Sequence, residues 1–194
     1  TIEVVRAKLA GCGTMTETYE QPERDNEGRT HMSTARHQFR WIGFAVEGPD
    51  LVLTEVSKSG WERPEFTMKY VARAERTVAT VRLADLSPDV KFYEKKYEGQ
   101  LTRIVLSCSV GACFRSTKTA MDGPSSKEKG KGGDSQIGDY YQDVNDFIPQ
   151  SKPYTTDTIN SFWVEVCGDR SEGERIAKAL SHAIRLGGGK APLF

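Results

Sequence analysis

Apolar and polar residues alternate through much of the first 117 positions. His37-Gln38-Phe39-Arg40-Trp41-Ile42-Gly43-Phe44 sets Phe39 and Trp41 on one side and Gln38 and Arg40 on the other. That two-residue period is the mark of a half-buried strand. Gly48-Pro49-Asp50 is a turn signal, and residues 51–56 read as the returning strand of a hairpin. Residues 2–9 are rich in β-forming side chains and read as a strand; 66–71 and 77–83 read as two more. Asp85-Leu86-Ser87-Pro88-Asp89 reads as a turn, since Asp, Ser and Pro each favour one for local reasons. Residues 103–108 and 112–117 are expected to pair with each other across Ser109-Val110-Gly111.

The pattern breaks at Lys118. From 118 to 133 the chain is dominated by Lys, Gly and Ser. No apolar face can form there, and glycine raises the entropy cost of ordering. The reading is a long flexible insertion over 118–158, placed before the last strand, and a second polar excursion over 20–33. Pattern returns at 161–167, where Phe162, Val164 and Val166 share a face. Ser171 then stands three residues before Glu174, the spacing of a capping box. Ile176, Ala179, Leu180, Ala183 and Ile184 recur at helical spacing, with Arg175, Lys178, His182 and Arg185 opposite. Gly187-Gly188-Gly189 ends this helix. The expected architecture is mostly β (α+β): one domain over 1–194, a bent antiparallel barrel or sandwich of about seven or more strands, capped by one C-terminal amphipathic helix.

That order of elements, over residues 35–117 and 161–189, resembles the pleckstrin-homology-like (PH-like) fold. The resemblance implies that the terminal helix plugs the open end of a bent barrel and covers its apolar mouth. It does not carry lipid binding with it, because fold does not imply function. Phosphoinositide-binding members place a basic cluster after the first strand, whereas the early excursion here reads Glu20-Gln21-Pro22-Glu23-Arg24-Asp25-Asn26-Glu27. That acidic stretch argues against phosphoinositide binding.

Composition narrows the classes further. Apolar residues make up 37% and charged residues 28%, too apolar for general disorder and too polar for a membrane protein. No run approaches the ~18 apolar residues of a membrane-spanning helix. The 27 basic and 27 acidic side chains cancel, so no whole-molecule field draws the protein to nucleic acid. The chain begins at Thr1 and is expected to be processed, trimmed or partial. Leu9-Ala10-Gly11-Cys12 matches a lipoprotein cleavage site locally, but Glu3, Arg6 and Lys8 interrupt the apolar stretch such a signal needs.

Candidate chemistry is sparse. Cys12, Cys108, Cys113 and Cys167 follow neither zinc-ribbon nor redox spacing. Their low density favours a reducing, cytoplasmic setting. Cys108 follows Ile104 and Leu106 in alternation, so core packing as a free thiol is its leading reading, with a disulfide to Cys113 or a metal half-site as alternatives. His31 and His37 with those cysteines would make a Cys2His2 zinc set, but the spacing is irregular. His182 falls on the polar helix face, where a solvated imidazole is the default. No Gly-x-Ser-x-Gly elbow and no phosphate-binding glycine loop is present. Lys127, Lys129 and Lys131 read as a solvated linker.

Two functional readings follow, neither requiring a cofactor or a metal. The first is a non-catalytic binding or scaffolding module that recognises a protein or peptide at a groove between the last helix and a sheet edge. Tyr140, Tyr141 and Phe147, in an aromatic and acidic stretch, are its candidate docking contacts or a strip folded back over the sheet. The second is a small enzyme or ligand-binding barrel with a dispersed site built from His37, Trp41, Arg103 and Cys108. A pocket with convergent polar groups would favour the second.

Overall fold

A computed structural model describes residues 2–24, 27–63, 68–96, 100–124 and 139–189. Helix α1 (Ile2–Gly11) leads into a meander of long strands: β1 (Met15–Arg24), β2 (Thr30–Glu47), β3 (Asp50–Arg63) and β4 (Met68–Arg82). After a 3-10 turn at Leu83–Asp85 come β5 (Lys91–Lys96), β6 (Gln100–Ser107) and β7 (Phe114–Asp122). The short β8 (Ile148–Pro149), β9 (Thr155–Ile159), β10 (Ser161–Cys167) and helix α2 (Arg170–Leu186) complete the chain.

The strands form two antiparallel sheets. The larger runs β1-β2-β3-β4-β7-β8, with β9 also paired to β7; the smaller runs β10-β6-β5. The mostly β class and the C-terminal helix therefore stand as expected. The β2–β3 hairpin turns at Gly48-Pro49, with Glu47 opposite Asp50. Gly48 has φ 63°, a left-handed conformation that glycine adopts without a Cβ penalty.

The main core lies between the sheets and under both helices. Phe39, Trp41, Phe44, Leu51, Leu53, Ala79, Val81 and Phe114 supply the large sheet's inner face. Leu101, Ile104, Leu106, Val164 and Val166 supply the small one, and Ile176, Leu180 and Ile184 come from α2. A second cluster on the large sheet's outer face joins Val56 and Ala74 to Met121, Val144 and Phe147.

Several expectations are corrected. Residues 2–9 are helical: Val5 and Leu9 are buried one turn apart, with Ile2 packed beside them. Spacing 2, 5, 9 fits a helical stripe as well as β-rich composition fits a strand, and packing decides between them. Arg6 Nε donates to the Phe44 carbonyl at 2.8 Å, and Lys8 pairs with Glu172 at 3.4 Å. Residues 103–108 and 112–117 do not pair with each other. β6 pairs with β5 and β10, while β7 crosses to the large sheet. Cys108 is no free core thiol: it is half-buried and bonded to Cys113, with Cα atoms 5.7 Å apart. Cys12 is bonded to Cys167, tying α1 to β10.

In the polar stretch 20–33, residues 20–24 and 30–33 are the outer ends of β1 and β2, paired from Glu20↔Thr34 to Arg24↔Thr30; 25–26 lie outside the described residues. Of residues 77–83, all but Leu83, which opens the 3-10 turn, belong to one long β4, whose start also takes in 68–71; 66–67 lie outside the described residues. Within the expected insertion, 118–122 finishes β7 and 139–158 packs on the large sheet or pairs with it; 125–138, including Lys127, Lys129 and Lys131, lie outside the described residues. The N-cap of α2 is Asp169, whose carboxylate accepts from Glu172 N at 3.0 Å and from the Ser171 hydroxyl at 2.7 Å. The carboxylate, two residues earlier than the expected Ser171, reaches the first free amides of the helix.

A candidate binding cleft between the sheets

The cleft arises because the inward positions of three adjacent strands change character along their length. On β3 they run Leu51, Leu53, Glu55, Ser57; on β4 Val81, Ala79, Thr77, Glu75; on β7 Phe114, Ser116, Lys118. The apolar ends lie under the small sheet and the helices. The polar ends continue past that cover and form the floor of a cleft of about 570 Å3. His37 of β2 borders the floor; Arg103, Phe162, Trp163 and Glu165 face it from the small sheet, and Ile159-Asn160-Ser161 close one side.

Hydrogen bonds and ring contacts hold the wall. The Trp41 indole donates to the Glu165 carbonyl at 2.9 Å, joining the two sheets beneath the cleft. Trp41 meets Phe162 edge-on at 6.2 Å, and Phe162 stacks on Phe114 at 5.7 Å. The Arg103 guanidinium lies 4.3 Å from the centre of the Trp163 ring, while its Nε donates to Glu165 at 2.8 Å. Trp163 remains half exposed at the rim.

The carboxylates divide unequally among the cations. Glu165 has Arg103. Glu75 has Arg73 at 2.6 Å and Lys118 at 3.4 Å, and accepts from the Tyr154 hydroxyl. Glu55 stands apart: among the described residues no cation lies within ion-pair distance and no hydrogen bond reaches its carboxyl. Its pKa is pushed up to about 8, first by burial and then by the fields of Glu165 and Glu75; Lys118 opposes the shift. At neutral pH Glu55 is mostly a carboxylic acid, able to donate a hydrogen bond.

The residues singled out from sequence separate into two groups. His37 and Arg103 line the cleft, and His37 Nδ1 is 3.1 Å from the Ser59 hydroxyl. Trp41 lies buried beneath it. Cys108 stands close behind one wall, since its disulfide partner Cys113 donates its backbone N–H to the Ile159 carbonyl at 3.1 Å. Tyr140, Tyr141 and Phe147 are on the other face of the large sheet. Tyr140 and Phe147 are buried there and Tyr141 is exposed. The strip holding them is anchored by buried Lys58, whose ammonium donates to the carbonyls of Asp139 (3.0 Å), Tyr140 (3.1 Å) and Gln142. Sequence reasoning missed Glu55, Glu75, Lys118 and Glu165. For Glu55, Glu75 and Lys118 the signal was available, as inward-parity positions that turn polar halfway along a strand; Glu165 alternates with the core residues Val164 and Val166 and gave none.

Cys108 and Cys113 are joined, so neither offers a free thiolate to a metal. Among the described residues no three metal-donor side chains are placed to hold a metal ion together, and no helix is long and apolar enough to cross a membrane. Compared with family models, curated proteins and solved structures, the chain matches none.

Proposed function

We propose that this protein is a binding module that takes a small polar ligand into the cleft between its sheets. The observation that carries the reading is the change from apolar to polar at the inward positions of β3, β4 and β7, opposite Phe162 and Trp163. A volume of about 570 Å3 falls in the ordinary range for small-molecule sites, as does an aromatic wall with a few converging polar groups. Glu75 and Lys118 pair with each other across the floor, but Glu55 gains no partner among the described residues, and a ligand is the reason we give for it.

A protein or peptide partner is the second reading, favoured by a groove of about 560 Å3 between α2 and β5, an edge strand of the small sheet. Val90, Phe92 and Ala177 supply its apolar part and Lys178, Ser181, His182 and Arg185 its polar rim. An extended segment could add to the β5 edge there. One screen separates the two: a small-molecule fragment library added to isotopically labelled protein, read by amide and indole NMR shifts. Fragment hits clustered on Ser57, Ser161 and Trp163 support the cleft. Hits confined to Phe92 and His182 would replace it with the groove.

Two finer readings go with this proposal. The PH-like likeness is supported by α2 following directly on the last strand and covering the core between the sheets. The two disulfides support an oxidising compartment over the reducing cytoplasm that cysteine density suggested. Thiol titration of the protein purified under non-reducing conditions from its native source tests the latter, and four free thiols would return it to the cytoplasm.

A further inference from the structure

We propose that the cleft is specific for small organic cations, a primary amine or guanidinium group pairing with Glu55 while the rest of the molecule lies against Phe162 and Ile159. The inference rests on the cleft being the binding site. It adds the charge of the ligand and the residue that reads it.

Three carboxylates and two permanent cations share the lining: Glu55, Glu75 and Glu165 against Arg103 and Lys118, with His37 at the border. Both cations are committed. Arg103 is bonded to Glu165 and stacked on Trp163; Lys118 is bonded to Glu75, which Arg73 also reaches. Glu55 is left without a counterion among the described residues. A half-buried carboxyl facing two other carboxylates is costly to ionise alone. A ligand cation removes that cost by supplying the missing charge. Phe162 adds an aromatic face beside the site, where an ammonium or guanidinium gains further attraction. An anion, by contrast, would meet basic groups already neutralised and the fields of the Glu75 and Glu165 carboxylates, with one hydrogen bond from neutral Glu55 as its only gain there, and that gain is lost as Glu55 ionises.

Binding is then coupled to proton release. With its pKa pushed up to about 8 by burial, Glu165 and Glu75, Glu55 is protonated before the cation enters. Pairing requires the carboxylate, so close to one proton leaves per ligand bound at pH 7. The ligand's own ammonium keeps its charge across this range. Affinity therefore rises about tenfold per pH unit up to the Glu55 pKa and levels off above it.

The test uses the full chain and three amine probes: 2-phenylethylamine, cyclohexylmethylamine and agmatine. 2-Phenylethanol and cyclohexylmethanol serve as neutral isosteres and 3-phenylpropionate as an anion. Dissociation constants come from NMR titration at pH 6, 7 and 8. Proton release comes from calorimetry in two buffers of different ionisation enthalpy. The expected result is at least one amine bound tenfold or more tighter than its alcohol at pH 8, with the pH slope and proton release just described. Glu55→Gln keeps the shape and the fold, and is expected to erase the preference, the slope and the proton release together. Alcohols or the anion binding within twofold of the amines, with shifts still on cleft residues, would overturn the cation inference and leave the cleft standing. A preference for amines that survives Glu55→Gln would overturn it in the same way. If no probe of any charge shifts cleft resonances, both are overturned.

Discussion

Gly173 of α2 is pressed onto Thr102 of β6 so closely that a Cβ on Gly173 would come within 2.3 Å of Thr102 Cγ2. Both residues are buried, and the Thr102 hydroxyl is 3.3 Å from the carbonyls of Gly168 and Asp169, just before the helix starts. A glycine inside a helix normally weakens it, so Gly173→Ala, in the first turn of α2, should gain up to about 1 kcal/mol from propensity alone. The contact reverses the sign, since overpacking a tight interface costs about 1–3 kcal/mol. Net destabilisation is expected. Thr102→Ser removes the obstructing methyl, and in that background the cost of Gly173→Ala should fall by at least half. Four denaturant melts complete the cycle; additive losses would mean the two residues do not meet.

Leu180 is fully buried at the centre of the α2 stripe, with Ile176 and Ile184 one turn away on either side. Leu180→Ala should cost about 2–5 kcal/mol through lost burial and a cavity. Lys178, two residues earlier, is exposed and paired with Glu174 at 2.8 Å. Lys178→Ala should leave the melting midpoint essentially unchanged, as exposed helix pairs contribute little. Equal midpoints for the two variants would show that the stripe is not docked.

The two disulfides close loops of very different length. Cys12–Cys167 spans 155 residues and Cys108–Cys113 spans 5. By loop-closure entropy the first constrains the unfolded chain by about 5 kcal/mol and the second by about 2 kcal/mol. The double substitution Cys12→Ser with Cys167→Ser should therefore lower stability more than Cys108→Ser with Cys113→Ser. It should also raise hydrogen exchange in α1, which β10 would no longer hold. A larger loss from the short-loop pair would contradict this order.

Glu55 makes stability depend on pH. Its carboxyl is neutral in the folded protein up to about pH 8, against 4.5 for an unperturbed carboxyl. The folded state thus holds a proton that the unfolded state has lost, and the stabilisation this gives is complete below pH 4.5. It declines as pH rises from there to about 8. Glu55→Gln is uncharged at every pH and lacks this decline. Unfolding midpoints at pH 5 and pH 8 should fall further for the parent protein than for the variant. Parallel falls would place the ionisation elsewhere.

Lys58 anchors the strip that crosses the outer face of the large sheet. Its ammonium is held against carbonyls at the end of the turn 139–141, and burial with the nearby Arg36 pushes its pKa down to about 8. Lys58→Met keeps the stem and removes the donors. Amides 139–147 should then exchange faster, with β2 and β3 still protected, because losing the donor leaves buried carbonyls unsatisfied. Uniform change across the sheet would mean the strip is not a separate unit.

The sequence by itself determined the elements whose signals are local. The Phe39 and Trp41 alternation, the Gly48-Pro49 turn, the β10 pattern and the α2 stripe each follow from a period or a turn preference within a few residues. Gly187 at the end of α2 follows in the same way. Only the tertiary structure decided what depends on distant neighbours. Residues 2–9 carry both a strand-like composition and a helical spacing. What settles them is the site that α1 fills beside α2, closed by Cys12 and Cys167 from opposite ends of the chain. The partner of β6 was misread because Ser109-Val110-Gly111 looks like a hairpin turn, whereas Leu106 pairs with Phe162, far along the chain. The cleft was half legible. His37 and Arg103 could be named, but Glu55 stands out only when β3 is seen beside Lys118 of β7 and Glu165 of β10. Residue types and periods are local quantities. The burial and the fields that set the protonation of Glu55 are sums over residues that meet only in the folded chain.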